Sequence, residues 1–202
     1  MLLDRMSSKR ASVYQWFAQL LYQELADEQL ARLGNREHRE WVASLSAIPG
    51  MSENVAAFER SRERILTRAD RQQELAADYA TLLLTGPPLG ISPYAGHYPH
   101  SSPAELRLEM RQLLVRYQLA PVDSEAVDHI AIQLALMATL IGGHASREEQ
   151  HQFVHSYLMS WLPMFSKCCA VRDKEGFYTT AVQLIVGFIE QDEVWLAGHE
   201  AP

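Results

Sequence analysis

His151 and His155 stand one helical turn apart, with Glu148 and Glu149 just before them, and that spacing would let two imidazoles on one helix face share a metal ion. No third ligand at a convincing spacing accompanies them. Arg147, Glu148, Glu149 and Gln150 together describe a solvated helix face, which accounts for the pair better. The sequence has no HExxH, CxxC, Gly-x-Ser-x-Gly or duplicated ExxH pattern. A metal-dependent hydrolase using His151, His155 and a distant acid is the one enzymatic reading left open. No residue is assigned a catalytic role and none a metal.

Gly86-Pro87-Pro88-Leu89-Gly90 lacks the Lys-Ser/Thr pair of a phosphate-binding loop and follows a helical pattern where that motif needs a strand. Glu125-Ala126-Val127-Asp128-His129 is more informative. Acids in the first turn of a helix satisfy its free amide donors, and carboxylates placed there could also take a guanidinium in paired hydrogen bonds. Tyr79, Tyr94 and Tyr98 are each explained singly as packing anchors. Taken with the Pro-rich stretch around Pro93, they suggest an apolar groove with an acidic rim, suited to a peptide of hydrophobic and basic residues.

The elements that must hold these residues are helices. No segment alternates apolar and polar residues as a half-buried strand does, whereas long segments repeat apolar residues every three to four positions. The chain therefore reads as an all-α helical bundle of two halves. An N-terminal domain spans 1–120 and a C-terminal domain 126–202, joined by a hinge at 121–125 where Pro121 stops a helix. Exchange of halves across that hinge would give a dimer, and a plain interaction module that only dimerises is the other alternative. The spacing predicts a first helix capped by Ser8, with Val13, Trp16, Phe17, Leu20 and Leu21 on its apolar stripe. Further helices are expected from Asp27, around Trp41, from Ser52 and from Asp70, before a long loop over 86–99. Ser102-Pro103-Ala104-Glu105 restarts the chain with a capping box. A helix apolar on nearly every side runs from Ile130 to Ile141, another carries Phe153 and Tyr157, and a short one begins near Trp161. The last runs from Gly176 and frays after Asp192.

The formal charge of −7 over 202 residues argues against a nucleic-acid partner. Cys168 and Cys169 are adjacent, a placement that cannot easily meet disulfide geometry, so a reducing compartment is expected. The first ten residues carry acid and no sustained apolar run, unlike a secretory signal, and nothing approaches a membrane span. The expected location is the cytoplasm.

In order and spacing, several segments resemble the TorD/DmsD/NarJ group of redox-enzyme maturation proteins. They are Val13-Tyr14-Gln15-Trp16-Phe17-Ala18-Gln19-Leu20, Glu74-Leu75-Ala76-Ala77-Asp78-Tyr79, Pro93-Tyr94-Ala95, Glu125 with Asp128-His129, Trp161-Leu162-Pro163 and Gly176-Phe177-Tyr178. The resemblance spans nearly the whole chain. It implies a cytoplasmic chaperone without turnover of its own. Its client would be a large molybdoenzyme precursor of the trimethylamine N-oxide reductase (TorA-like) type, held by its twin-arginine signal peptide until the molybdenum cofactor is inserted. It also implies a homodimer or monomer/dimer mixture, no tightly bound cofactor and weak GTP binding. Carried over by position, the client-binding residues are Tyr79, Leu82, Pro93, Tyr94, Tyr98, Glu125, Asp128 and His129. The chain departs from the group's pattern at Ala126, where proline is usual, and at Gly96, where serine is usual.

Overall fold

Helix follows helix along the chain because apolar stripes, caps and breakers recur at helical spacing. The structure, a computed structural model, describes residues 2–99, 102–119 and 126–198. The α-helices are α1 (Leu2–Tyr22), α2 (Asp27–Gly34), α3 (Arg36–Ser44), α4 (Ser52–Leu66), α5 (Arg71–Tyr79), α6 (Pro103–Arg116), α7 (Ile130–Gly142), α8 (Arg147–Phe153), α9 (Leu162–Arg172) and α10 (Phe177–Ala197). Wider π turns prolong α5 over Ala80–Leu84 and α8 over Val154–Met159. Among the described residues there is no strand, only an isolated antiparallel pairing of Tyr94 with His129.

The chain divides into two compact units. One comprises residues 1–22, 93–162 and 193–202, the other 23–92 and 163–192. Each unit thus combines residues from before and after position 121. The expected hinge at 121–125 lies outside the described residues.

In the first unit α1 packs along α7. Tyr14, Phe17 and Leu21 are fully buried on α1, and Ile130, Leu134, Leu136, Met137, Leu140 and Ile141 on α7. Each of these larger side chains contributes about 1.5–3 kcal/mol on leaving water. The all-round apolar α7 is therefore the central helix of its unit, as its sequence suggests. The end of the chain departs from expectation: α10 continues past Asp192 to Ala197. Arg147 lies over the Trp195 ring at 3.9 Å from its centroid, Arg10 over it at 4.6 Å, and Arg147 Nε donates to the Leu196 carbonyl at 3.2 Å. Those contacts cap a helix end that composition alone leaves free.

The second unit is built on aromatic contacts. Phe58 of α4 meets Phe177 of α10 at 5.4 Å between ring centroids, and Ser61 and Thr180 share a buried hydrogen bond of 2.5 Å. Arg62, almost wholly buried, is held by both carboxylate oxygens of Glu59 at 2.7 and 2.6 Å. Burial, and then the positive charge of Arg62, holds the pKa of His38 below its usual 6.5. Below pH 6.5 the unfolded chain takes up a proton there that the folded protein resists, so His38 removes stability as the pH falls from 7 towards 5. Replacing His38 by Gln should make the loss of stability between pH 7 and pH 5, followed by urea unfolding, visibly shallower. An unchanged difference would show that His38 titrates alike in both states.

Two local expectations are corrected. α1 begins before Ser8, so that residue is inside the helix and its carbonyl accepts from the Ser12 hydroxyl at 2.9 Å. Ser102 precedes α6 with Pro103 at the first helical position, but its side chain makes no capping hydrogen bond. The capping box forms instead at Ser146 and Glu149, where each side chain bonds the other residue's amide at 3.1 and 2.9 Å.

Candidate functional site

Over 86–99 the chain is too rich in proline and glycine for an α-helix, and the backbone groups of its second half must find partners elsewhere. They find them at 128–130. The Ile130 amide donates to the Pro93 carbonyl at 2.9 Å and the Ala95 amide to the Asp128 carbonyl at 3.0 Å. Tyr94 and His129 thereby pair as two extended residues. A tight 3-10 turn over Ala95–His97 follows.

The Asp128 carboxylate completes this staple. Its Oδ2 accepts from the Gly96 amide at 3.1 Å and its Oδ1 from Arg107 Nε at 2.9 Å. Asp128 is 0% exposed, and the Arg107 side chain 37%. A buried carboxylate is tolerated when charge-assisted hydrogen bonds replace its water. The acid expected at an open rim is thus an interior group, because the loop's amide and an arginine of α6 desolvate and satisfy it. A Cβ at Gly96 would lie 2.8 Å from Asp128 Oδ2 and 3.1 Å from Pro103 Cβ, so a side chain there would make the carboxylate shift. The departure from serine thus suits the close approach of loop backbone to carboxylate.

His129 starts α7. Its Nδ1 accepts from the Ala131 amide at 3.2 Å, so the ring caps the helix and Nδ1 carries no proton. The half-buried Tyr94 presents its ring to His129 edge-on at 5.1 Å. Nearby in the same unit, Tyr98 packs on Trp161 at 5.1 Å, and Trp161 Nε1 donates to Gln133 Oε1 at 3.0 Å and to the Tyr157 carbonyl at 2.9 Å. The Gln133 amide nitrogen, fully buried, has no hydrogen-bond partner among the described residues. The Tyr157 hydroxyl donates to Glu109 at 3.1 Å. Burial, reinforced by Glu109, pushes its pKa up to about 12, so the phenol keeps its proton.

Tyr79 and Leu82 belong to the second unit. Both are buried, Tyr79 edge-on to Tyr178 at 5.1 Å, and the π turn that follows is closed by the Thr85 amide donating to the Ala80 carbonyl at 3.1 Å. Such wide turns are frequent at functional sites. Leu84, which ends the turn, and Leu89 beyond it are exposed. Glu125 lies outside the described residues. The first unit therefore brings together Pro93, Tyr94, Asp128 and His129, with Tyr98 one turn further on, packed against Trp161.

Arg107 is the participant that sequence reasoning passed over. The inward residues of α6 are Leu106, Met110 and Leu114, and Arg107 stands three before Met110 and seven before Leu114. A cation on that inward stripe is a signal that a buried acid faces it. The histidine pair looks different in place. His151 and His155 stack at 6.2 Å and His155 Nδ1 is 2.8 Å from Glu193 Oε1. Among the described residues no three His, Cys, Asp or Glu side chains group so as to hold a metal ion. The second unit also contains a cavity of about 470 Å³ whose lining sets Arg60, Arg64 and Lys174 against Glu53, Glu175 and Glu190.

Comparison with known proteins decides the family. The chaperone protein TorD of Salmonella bongori is 54% identical over 94% of this chain and 91% of its own. The chain belongs to the TorD chaperones. TorD of Photobacterium profundum is 34% identical over 96% of this chain and 97% of its own, and that of Aliivibrio fischeri 34% over 98% and 99%. Residues 48–167 also match the nitrate reductase delta subunit family. The TorD chaperones thus resemble this chain from end to end, and the staple formed by Asp128 lies within the length they share.

Proposed function

We propose that this protein is a dedicated chaperone, with no turnover of its own, for a molybdoenzyme precursor of the trimethylamine N-oxide reductase type. It acts in the cytoplasm, holding the apo-enzyme by its twin-arginine signal peptide until the molybdenum cofactor is in place. The observation that carries this reading is the end-to-end likeness to TorD chaperones at 54% identity. Among the described residues no helix is long and apolar enough to cross a membrane, which suits a chaperone that meets its client before export.

The client-binding residues on this reading are Tyr94, Tyr98 and His129 around the staple, Pro93 and Asp128 within it, together with Glu125, which lies outside the described residues. Tyr79 and Leu82 act through the second unit, where they shape the π turn. The partly exposed rings of Tyr94 and Tyr98 supply affinity, while carboxylate groups select arginine. Exchange of segments across 121–125 accounts for the dimers expected of the group. The second unit's cavity has room for a guanine nucleotide, but its three cations are balanced by three carboxylates, so we assign it no nucleotide.

Co-expression with a trimethylamine N-oxide reductase precursor tests the reading. The apo-precursor should co-purify in stoichiometric amount, and deletion of its signal peptide should lower the yield of complex several-fold. Recovery of the reductase only in its mature, cofactor-loaded form would contradict it.

A further inference from the structure

We propose that Arg107 is the internal occupant of a guanidinium-binding site whose external ligand is an arginine side chain of a peptide. This rests on the reading of the protein as a receptor for an arginine-bearing signal peptide, and it says how that arginine gains access.

The argument starts from the carboxylate. Asp128 is wholly buried, and both its oxygens are engaged within the molecule, by Gly96 N and by Arg107 Nε. No arginine from outside can reach it while Arg107 remains. Arg107, by contrast, is more than a third exposed. Its side chain therefore runs from solvent to the interior carboxylate, and its withdrawal opens a shaft as wide as a guanidinium group. An incoming arginine would restore the same charge-assisted hydrogen bond, so the exchange leaves no buried charge unpaired. Lysine is a poorer replacement, because a compact, strongly hydrated ammonium loses more on entering such a shaft. The Gly96 bond gives the exchange a consequence for shape. Asp128 holds the turn at 95–97 by its carboxylate and the preceding residue pair by its carbonyl, so a change of partner at Oδ1 is felt by Tyr94 and Tyr98.

Arg107 therefore competes with the client, and removing it should strengthen binding. Calorimetric titration of the full-length protein with a synthetic twin-arginine signal peptide, and with its twin-lysine counterpart, reads this out. Arg107→Gln should bind the arginine peptide about tenfold more tightly than the unsubstituted protein, since the site no longer has to be vacated before the peptide can enter. Arg107→Lys should fall between the two, and Asp128→Asn combined with Arg107→Gln should lose the gain. Unchanged or weaker binding by a folded Arg107→Gln protein overturns the proposal. If that variant does not fold, the same comparison is made with Arg107→Lys, for which unchanged binding is equally decisive. A second probe separates this inference from the signal-peptide reading. Millimolar ethylguanidinium should raise the melting temperature of Arg107→Ala and not that of the unsubstituted protein. Rescue without peptide binding by any form would uphold the guanidinium site and remove the signal peptide as its ligand. Absence of both the rescue and the tightening overturns the site itself.

Discussion

Trp161→Ala should unfold at markedly lower denaturant, with a loss of about 3–5 kcal/mol, the range for removing a fully buried large aromatic. Trp161 is 2% exposed and its indole nitrogen is shared between Gln133 Oε1 and the Tyr157 carbonyl. Truncation leaves a cavity and strips the Gln133 side chain, whose amide nitrogen already lacks a partner, of the hydrogen bond to its oxygen. It also removes the surface on which Tyr98 packs. Trp161→Phe should recover roughly half the loss by filling the space without the donor. Equal stability of the alanine variant and the unsubstituted protein in urea would mean that this packing is not present in solution.

The second large effect is expected at Asp128. Replacement by Ala should cost about 2–4 kcal/mol, because it leaves Arg107 and the Gly96 amide without their acceptor, and the upper range for a buried pair is reduced by the exposure of Arg107. Hydrogen exchange should accelerate at the Gly96 and Ala95 amides, which Asp128 holds by its carboxylate and carbonyl, and much less at α7, whose core is independent of the carboxylate. Asp128→Asn, which keeps the shape and one acceptor oxygen, should lose less stability yet still lose arginine selectivity. Protection at Gly96 that survives Asp128→Ala would mean that the loop stands without the staple. Paired alanine replacements at Asp128 and His129 are thus poor probes of binding alone, since His129 also caps α7 through Nδ1.

Much of this was legible in the residues. The nearly all-round apolar segment from Ile130 to Ile141, interrupted by Gln133 and Thr139, marks a central helix because no other environment takes such a surface. The prolines and glycines of 86–99 mark a loop because helical hydrogen bonding fails there. Less accessible were features that depend on residues far apart in sequence. Asp128 reads as an exposed helix-start acid until Arg107 and the Gly96 amide are brought to it. Gly96 reads as a lost hydroxyl until the distance to that carboxylate is known. The end of α10 reads as a frayed tail because nothing local announces that Arg10 and Arg147 close on Trp195. Ser102 has every local sign of a cap and makes no cap bond, whereas Ser146, in a less conspicuous setting, does. Periodicity reports what a segment buries, and only the fold reports which charge meets which.

The central claim is that the surface organised by Asp128 recognises arginine in a client's signal peptide. Its most direct test is a calorimetric comparison, on the unsubstituted full-length protein, of a signal peptide carrying its arginine pair with one in which both are lysine. Binding of the arginine form about tenfold more tightly, with the difference persisting at raised salt as a partly buried, charge-assisted contact requires, is the expected result. Equal affinity for the two peptides, or a difference that vanishes with modest salt, would contradict it.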